Sequence, residues 1–237
     1  MKHTTKKISV VIPVFNEQAT IKDIIERVKK SNTLGLRKEI IVVDDGSTDQ
    51  TALSLKGIKG VIVLRHKKNQ GKGAAIVTGF KKCTGDIILI QDADLEYSPT
   101  DYPKLIEPFM EYGSDVVYGT RFRGGQTRRV IYFTHHFANQ MLTFYSNILT
   151  NLNLTDMECG YKLFSKSVIK AILPTLQSRS FGIEPELTAK VAKLPGVKFY
   201  EVGITYQGRT YEEGKKIGLI DGLKAIFEIT YFNFFAK

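Results

Sequence analysis

The first half of the chain alternates short apolar runs with longer segments whose apolar residues recur at helical spacing. The first run, residues 8–14, is mostly apolar and β-branched, which predicts a strand buried on both faces. Apolar residues at 21, 24, 25 and 28 then mark one face of a helix. The same alternation predicts strands at 39–43, 61–64, 86–91 and 115–119, and helices at 72–82 and 100–112. Strands alternating with helices predict βαβ units and a mainly parallel sheet.

The second half of the chain is less regular and begins with an arginine-rich stretch. Residues 121–129 contain four arginines and no acidic residue. We expect helical segments through Asn139 and Tyr145, then strands at 161–164 and 198–206, and a polar loop at 208–216. Apolar residues at helical spacing predict an amphipathic helix over 217–237. With no repeat and no linker in the sequence, we expect one domain, with 217–237 as a helical appendage of 1–216.

Charge and cysteine content narrow the class of protein. The chain has 34 Lys and Arg against 24 Asp and Glu, and its net charge of +10 suits a polyanionic partner. Cys83 and Cys159 stand alone, which excludes a disulfide framework and fits a reducing compartment. No run of about 18 apolar residues is present, so the sequence predicts no helix that spans a bilayer.

Polar residues follow the predicted strands. The ends carry Asn16-Glu17, Asp44-Asp45, Asp92 with Asp94, and Arg121. Ligands of parallel α/β sheets bind at the carboxyl ends of the strands, so we expect these side chains to meet there. Paired carboxylates at an open edge suit a divalent metal on a diphosphate, although an isolated Asp-x-Asp is more often a plain turn.

Two nearby motifs have competing interpretations. Asp44-Asp45 followed by Gly-Ser can be a turn and helix cap, or can accept hydrogen bonds from a base or ribose. Gly71 and Gly73 flank Lys72 at the start of a predicted helix. We expect these glycines to permit close packing of helix and sheet, with Lys72 near an anionic ligand as the alternative. His135-His136 cannot chelate one metal well from a helix, so we interpret them as loop or interface residues.

These motifs, taken in order, carry a family resemblance. VVIPVFNE (10–17), IIVVDDGSTDQT (40–51), NQGKGAA (69–75), DADLEY (92–97) and VVYGTRF (116–122) resemble the family-2 glycosyltransferases. TDMECGYKLF (155–164), FGIEPE (181–186) and GRTYEEGKK (208–216) are similar to the polyprenyl-phosphate, or dolichyl-phosphate, sugar transferases. The resemblance implies an α/β, Rossmann-like, three-layer nucleotide-sugar transferase fold with a mostly parallel central sheet. It also implies that 1–216 is the catalytic domain.

The resemblance also implies a role for each matching residue. Pro13, Phe15 and Glu17 would line the nucleotide pocket, Asp44 or Asp45 would contact the base or ribose, and Asp92 would contact the diphosphate. Lys72 and Ala93 are further candidates for contact with the nucleotide sugar. Those that would hold Mg²⁺ or Mn²⁺ are Asp92, Asp94 and Glu96, the last at a position where the eukaryotic-type mannosyltransferases usually have Gln. Those that would hold phosphate charges of donor and acceptor are Arg121, Arg209 and Lys215.

The implied reaction is metal-dependent, inverting transfer of a sugar from a nucleotide-diphosphate sugar to a polyprenyl phosphate. A phosphate acceptor hardly needs a general base, whereas a hydroxyl acceptor does, and Asp156 is then the candidate, with Glu184 second. The alternatives are a same-fold enzyme with a saccharide hydroxyl acceptor and a nucleotide-sugar-binding protein without activity. A nucleic-acid-binding module is disfavoured, because its motifs are absent and the strand ends are acidic.

The implied acceptor places the protein at a membrane. We expect a cytoplasmic protein that lies peripherally on the inner face of the cell membrane. The helix over 217–237 would lie in the interface, with Lys215 and Lys216 near anionic headgroups, or else pack on the core. Many members of the family continue into transmembrane helices, so we expect a separate membrane protein to receive the product here.

Overall fold

A seven-stranded sheet forms the centre of the fold in the computed structural model, which describes residues 6–123, 129–130, 132–209 and 219–236. The strands are β1 (Lys7–Val14), β2 (Arg37–Asp44), β3 (Ile62–Arg65), β4 (Ile87–Ile90), β5 (Val116–Thr120), β6 (Lys162–Ser165) and β7 (Phe199–Gly203). The helices are α1 (Ile21–Lys30), α2 (Thr51–Leu55), α3 (Lys72–Lys82), α4 (Tyr102–Glu111), α5 (Phe133–Thr150), α6 (Lys166–Ile172), α7 (Ile183–Ala192) and α8 (Leu219–Phe234). Short 3₁₀ turns span Pro99–Asp101 and Leu173–Thr175.

The strand order is β3-β2-β1-β4-β6-β5-β7. β6 runs antiparallel to both of its neighbours, β4 and β5, and the other four strand pairs are parallel. This arrangement confirms the mostly parallel central sheet. It also brings the carboxyl ends of β1, β2 and β4 side by side, because these three strands are consecutive in the sheet.

Both faces of the sheet are covered by helices, which makes three layers. On β1, Ile8, Val10 and Ile12 belong to the core cluster under α1 and α4, while Val11 belongs to the cluster under α3 and α7. The near-continuous apolar run of β1 follows from this, since every residue of the strand after Lys7 is buried. α3 approaches the sheet closely at Gly79, where an added Cβ would lie 2.3 Å from Cγ1 of Val11.

The predicted strand at 198–206 is shorter in the structure. β7 ends at Gly203, where its partner β5 ends at Thr120. Beyond that point the chain no longer has a neighbouring strand, and Tyr206 forms only an isolated antiparallel bridge with Tyr97. The length of β7 is thus set by the length of its partner β5, which cannot be read from the sequence of β7 itself.

Two further predictions concern helices. His135 and His136 lie in the first turn of α5, so the interpretation as loop residues is wrong, and the ring of His136 packs edge-on against Phe122. α8 packs one side against the body, with Ile229 and Phe232 buried. Its predicted neighbours Lys215 and Lys216 lie outside the described residues. Within those residues, no helix has both the length and the apolarity needed to cross a membrane.

Candidate active site

The polar strand ends meet at the carboxyl edge of the sheet, as predicted. The guanidinium group of Arg209 donates from Nη1 and Nη2 to the two carboxylate oxygens of Glu17, at 3.1 and 3.0 Å. Its Nη2 also donates to the backbone carbonyl of Asp94, at 2.6 Å. One side chain from the C-terminal part of the chain therefore contacts the loops that follow both β1 and β4.

Asn16 joins the loops that follow β1 and β2. Its side-chain carbonyl accepts the N–H of Thr48 at 2.8 Å, and its own N–H donates to Oγ of Ser47 at 3.0 Å. Its φ of 54° is a left-handed conformation that asparagine tolerates better than most residues. Asn16 was predicted only as a strand-end residue, whereas the structure shows that it fixes the relative position of the two loops.

The residues that the resemblance assigns to the nucleotide pocket lie in different settings. Pro13 is buried within β1, in register with Val43 of β2. Phe15 is half-buried just after the strand. Glu17 is engaged by Arg209, as described above. Phe15 and Glu17 therefore lie at the open edge, while Pro13 shapes the strand beneath it.

Asp44 and Asp45 are both buried, and each is already hydrogen-bonded. Asp45 contacts Nδ1 of His66 at 2.6 Å and accepts the backbone N–H groups of residues 70–71 at 3.0 and 2.7 Å. Asp44 lies 3.1 Å from Nε of the exposed Arg65. Asp45 therefore ties β2 to the loop before α3, while Asp44 accepts the backbone N–H of Ser47 at 2.9 Å within its own loop.

Gly71 and Gly73 do not serve helix–sheet packing, so that prediction is wrong. A Cβ on Gly71 would lie 2.1 Å from the carbonyl oxygen of Arg179, and one on Gly73 would lie 2.4 Å from that of Ser178. The carbonyl of Arg179 also accepts the N–H of Ala74 at 3.1 Å. The glycines thus admit another backbone segment, which caps the start of α3.

Lys72 belongs to a partly buried array of alternating charges. Its Nζ lies 2.8 Å from Oδ1 of Asp92 and 3.2 Å from Oε1 of Glu184. The other oxygen of Glu184 bonds to Lys162, which is fully buried and also donates to the carbonyl of Met157 at 3.0 Å. Burial alone would lower the pKa of Lys72, but the two carboxylates raise it above its ordinary value. Lys72 therefore remains cationic, and its charge neutralises Asp92.

The acidic residues after β4 differ in their partners. Burial raises the pKa of Asp94 to about 7, with further contributions from the charges of Asp92 and Glu96. A carboxylate crowded by two others fits a divalent cation, which prefers hard oxygen ligands. Among the described residues, however, no three Asp, Glu, His or Cys side chains converge on one point, so Glu96 does not join the other two. Ala93 is buried in the core cluster under α1 and α4.

Arg121 and Asp156 form a bidentate ion pair. Nε of Arg121 lies 2.7 Å from Oδ2 of Asp156, and Nη2 lies 2.6 Å from Oδ1. The backbone N–H of Arg121 donates to the same carboxylate at 2.9 Å, and Asp156 is fully buried. These contacts favour Asp156 as the residue that orients Arg121, and they do not favour the general-base role suggested for a hydroxyl acceptor.

A third arginine lies beside the same region. Arg129 donates its backbone N–H to the carbonyl of Tyr206 at 2.9 Å and its Nη1 to the carbonyl of Gly208 at 3.1 Å. Cζ of Arg121 lies 5.3 Å from the ring centroid of Tyr206. Arg121 and Arg129 therefore lie against segment 206–209, which itself contains the third arginine, Arg209. Arg128 and the predicted phosphate ligand Lys215 lie outside the described residues.

Three residues of this region were not predicted from the sequence. They are Glu158, Lys162 and Tyr206. Burial, followed by the charge of Glu184, raises the pKa of Glu158 to about 7. Lys162 could have been noticed, because a lysine inside an apolar strand must find a buried partner. Tyr206 carries no comparable signal, since its partners Glu96 and Arg121 come from distant parts of the chain.

Comparison with known proteins places this geometry in context. The family model described as Glycosyl transferase family 2 matches residues 9–173. The chain is 27% identical over 243 residues to UDP-N-acetylglucosamine–dolichyl-phosphate N-acetylglucosaminyltransferase of Methanococcus voltae, covering 94% of this chain and 95% of that protein. It is 32% identical over 219 residues to dolichol-phosphate mannosyltransferase of Pyrococcus furiosus, covering 89% of this chain and 60% of that protein.

A solved structure shares the fold. Glucosyl-3-phosphoglycerate synthase of Mycobacterium tuberculosis, in complex with Mn²⁺, uridine diphosphate and phosphoglyceric acid, superposes with a TM-score of 0.72. The sequence identity is 21%, and the match covers 96% of this chain and 77% of that one. The likeness extends from β1 to the C-terminal helices and concerns the fold alone.

The partly buried charge array predicts a large loss of stability when one charge is removed. Lys162→Met keeps a long apolar side chain but leaves Glu184 with one cation instead of two. We expect the free energy of unfolding to fall by about 3–5 kcal/mol, the usual cost of breaking a buried ion pair. Urea denaturation measures this, with the exposed Lys170→Met as the control, which should change it by less than about 0.5 kcal/mol. Equal stability of the two variants would contradict the assignment.

Proposed function

This chain belongs to glycosyl transferase family 2, and we propose that it moves a sugar, with inversion, from a nucleotide-diphosphate sugar to a polyprenyl phosphate. The observation that carries this proposal is the set of three arginines at segment 206–209, beside the acidic residues that follow β4. Relatives named for transfer to dolichyl phosphate support the lipid-phosphate acceptor. The protein is a glycosyltransferase, and the proposal concerns its substrates and mechanism.

On the donor side, Asp92 and Asp94 would hold Mg²⁺ or Mn²⁺ together with the diphosphate. When bound, the cation would neutralise the charge that develops on the leaving nucleoside diphosphate. The chain prepares this edge in two ways. First, Lys72 neutralises the charge of Asp92. Second, Arg209 bonds to the backbone carbonyl of Asp94 and not to its carboxylate, which stays available to a cation. The Mn²⁺-bound complex of the structural neighbour supports a divalent cation.

On the acceptor side, the nucleophile is itself an anion. A phosphate monoester has its second pKa near 6, so it is mostly dianionic at neutral pH and can attack without losing a proton. Two unit charges about 5 Å apart at an effective dielectric of 20 repel by roughly 3 kcal/mol. The protein must compensate this repulsion with cations, and guanidinium groups do so with directed hydrogen bonds. Asp156 then serves to hold Arg121 in place.

The first prediction for this function separates the phosphate acceptor from a hydroxyl acceptor. Arg209→Ala should lower the rate about a hundredfold, because roughly 3 kcal/mol of repulsion goes uncompensated. Asp156→Asn should act more mildly and mainly on the KM of the acceptor, since it loosens Arg121. Initial rates with a nucleotide sugar and a short-chain polyprenyl phosphate measure both, with Arg27→Ala on α1 as the control.

A hydroxyl acceptor would give the reverse order. Loss of a general base typically costs 10²–10⁴-fold in rate, and it would appear in kcat with an altered pH profile. Asp156→Asn proving far more damaging than Arg209→Ala, together with transfer to saccharides and none to polyprenyl phosphate, would refute the proposed acceptor. Nucleotide-sugar binding without transfer to either acceptor would indicate a binding protein.

The second prediction concerns the metal. UDP or GDP should stabilise the protein against heat only when Mg²⁺ or Mn²⁺ is present, and Asp94→Asn should abolish that dependence. At a ligand concentration of 100 times Kd the stabilisation is about 2.7 kcal/mol, which a thermal melt resolves. Asp23→Asn, an exposed aspartate of α1, is the matched control. Equal stabilisation in excess EDTA would rule out a metal-assisted donor site.

Exposed apolar side chains on two neighbouring helices support contact with a membrane. α5 contains no Asp, Glu, Lys or Arg over its 18 residues, and it packs beside α8, with Tyr145 bonded to Thr230. The apolar face is formed by Phe133, Phe137, Met141, Phe144 and Ile148 of α5 and by Leu223, Ile226, Phe227 and Phe234 of α8. Soluble monomers rarely expose so many large apolar groups together. We infer that this face lies in the interface of the membrane that holds the acceptor, on its cytoplasmic side.

The third prediction tests this apolar face. The double variant Phe137→Glu/Phe144→Glu should lower binding to liposomes at least about a hundredfold, because burying one such side chain is worth about 1.5–3 kcal/mol. Flotation with vesicles of defined anionic lipid content measures it, and Leu53→Glu, which replaces an exposed leucine of α2, is the control. Binding unchanged in the double variant would refute the inference. Failure of the wild-type protein to float would indicate that a membrane protein covers this face.

A further inference from the structure

Glu96 connects the acidic segment after β4 to segment 206–209. The hydroxyl of Tyr206 donates to Oε2 of Glu96 at 3.0 Å, and the backbone N–H of Arg209 donates to Oε1 at 2.7 Å. The backbone carbonyl of Glu96 accepts the N–H of Gln207 at 3.0 Å. Glu96 therefore bonds to three of the four residues 206–209. We call the two hydrogen bonds to its carboxylate the Glu96 bracket.

Tyr206 extends this connection to a second arginine. Its ring centroid lies 5.5 Å from that of Tyr97, which follows Glu96 in the chain, and 5.3 Å from Cζ of Arg121. Burial and then the charge of Glu96 raise the pKa of Tyr206 above its ordinary value, so the phenol keeps its proton at neutral pH. The hydroxyl therefore donates to Glu96 while the ring lies against the guanidinium group.

Arg209 is held by hydrogen bonds at both ends, at its backbone and at its guanidinium group. Its backbone is held by Glu96, and its guanidinium group by Glu17 and the carbonyl of Asp94. Hydrogen bonds to a charged acceptor are shorter and stronger than neutral ones, so Glu96 contributes more than a neutral turn residue would. Without the Glu96 carboxylate, segment 206–209 would lose two hydrogen bonds to the β4 loop and would keep the one from Nη2 of Arg209 to the carbonyl of Asp94.

We propose that Glu96 is a positioning residue for the acceptor side of the site, which sets Tyr206 and Arg209, and through Tyr206 also Arg121, where they receive the acceptor phosphate. It does this in place of the metal-ligand role that its position next to Asp92 and Asp94 suggests. The proposal rests on the proposed function in one respect, namely that the arginines bind an acceptor phosphate. The bracket itself is independent of which acceptor is used.

Three variants and two measurements test the assignment. Glu96→Ala removes the bracket, Tyr206→Phe removes only its phenol hydroxyl, and Glu96→Gln keeps an acceptor for the N–H of Arg209. The control is Tyr112→Phe, which removes the bond of an exposed tyrosine to Glu111. The first measurement is the Mn²⁺ concentration that half-saturates binding of UDP or GDP, by calorimetry. The second is the KM for a short-chain polyprenyl phosphate.

A positioning role predicts that Glu96→Ala and Tyr206→Phe behave alike. Each should raise the KM of the acceptor roughly tenfold, the effect of losing one hydrogen bond to a charged group. Each should leave the Mn²⁺ requirement within about twofold of wild type, since the metal ligands are untouched. Glu96→Gln should retain most of the acceptor affinity, and Tyr112→Phe should match wild type in both measurements.

A metal-ligand role predicts a different pattern. Glu96→Ala would then raise the Mn²⁺ requirement at least tenfold while Tyr206→Phe would leave both measurements unchanged, and this result would overturn the proposal. Unchanged acceptor KM in both variants would overturn it as well. If the wild-type protein does not use polyprenyl phosphate, the proposed function fails but the bracket remains testable. Faster amide hydrogen exchange at residues 207–209 in both variants, with an unchanged Mn²⁺ requirement, then supports it, and unchanged exchange refutes it.

Discussion

Repulsion between carboxylates that are crowded at one sheet edge is the constraint that organises this protein. Three of them are each bonded to a cation from a distant part of the chain: Asp92 to Lys72, Glu17 to Arg209 and Asp156 to Arg121. An unpaired buried charge would cost several kcal/mol, so these pairings are conditions of folding as well as features of the site. They also act as crosslinks, because they join the sheet edge to α3, to segment 206–209 and to the loop before β6.

The same pairings determine how much charge is left for substrates. Lys72 is half-buried and neutralised by two carboxylates, so it offers little to a phosphate, which was the alternative interpretation of its glycine-rich motif. The contacts of Arg121 and Arg129 hold their guanidinium groups beside segment 206–209. Their positive charge therefore lies next to Arg209. The carboxylate of Asp94 accepts the backbone N–H of Glu96 at 3.1 Å, and burial and the neighbouring carboxylates raise its pKa to about 7. The edge therefore has an anionic side suited to a cation with a diphosphate, and a cationic side suited to a phosphate.

The fold could be predicted from the sequence because its evidence is local. A strand buried on both faces has to be apolar throughout, and a surface helix has to be apolar on one side, so the alternation of residues 8–119 defines a parallel α/β sheet. Even the bounds of α3, Lys72–Lys82, follow from this pattern. The strand ends were located for the same reason, since a polar residue ends each apolar run.

The interior of the site could not be predicted because its evidence is not local. Gly71 and Gly73 indicate a close backbone approach, but nothing in their sequence says that the approaching segment lies more than 100 residues later, at 178–179. Glu96 stands two residues from Asp94 and looks like a third ligand until its partners at 206–209 are known. Spacing along the sequence shows which side chains begin close together in space. Their hydrogen-bond partners depend on distant segments that only the folded structure places beside them.

One junction relates the charged site to the apolar face. Arg129, whose contacts are with Tyr206 and Gly208, precedes the first residue of α5, Phe133, by four residues. Four residues of chain reach at most about 14 Å, so the exposed stripe of α5 begins within that distance of the arginine-lined segment. A polyprenyl phosphate likewise has a dianionic head directly joined to an apolar chain. Its head at segment 206–209 would leave its chain beside Phe133 and Phe137, which accounts for an apolar face at this end of the molecule better than a water-soluble saccharide acceptor does.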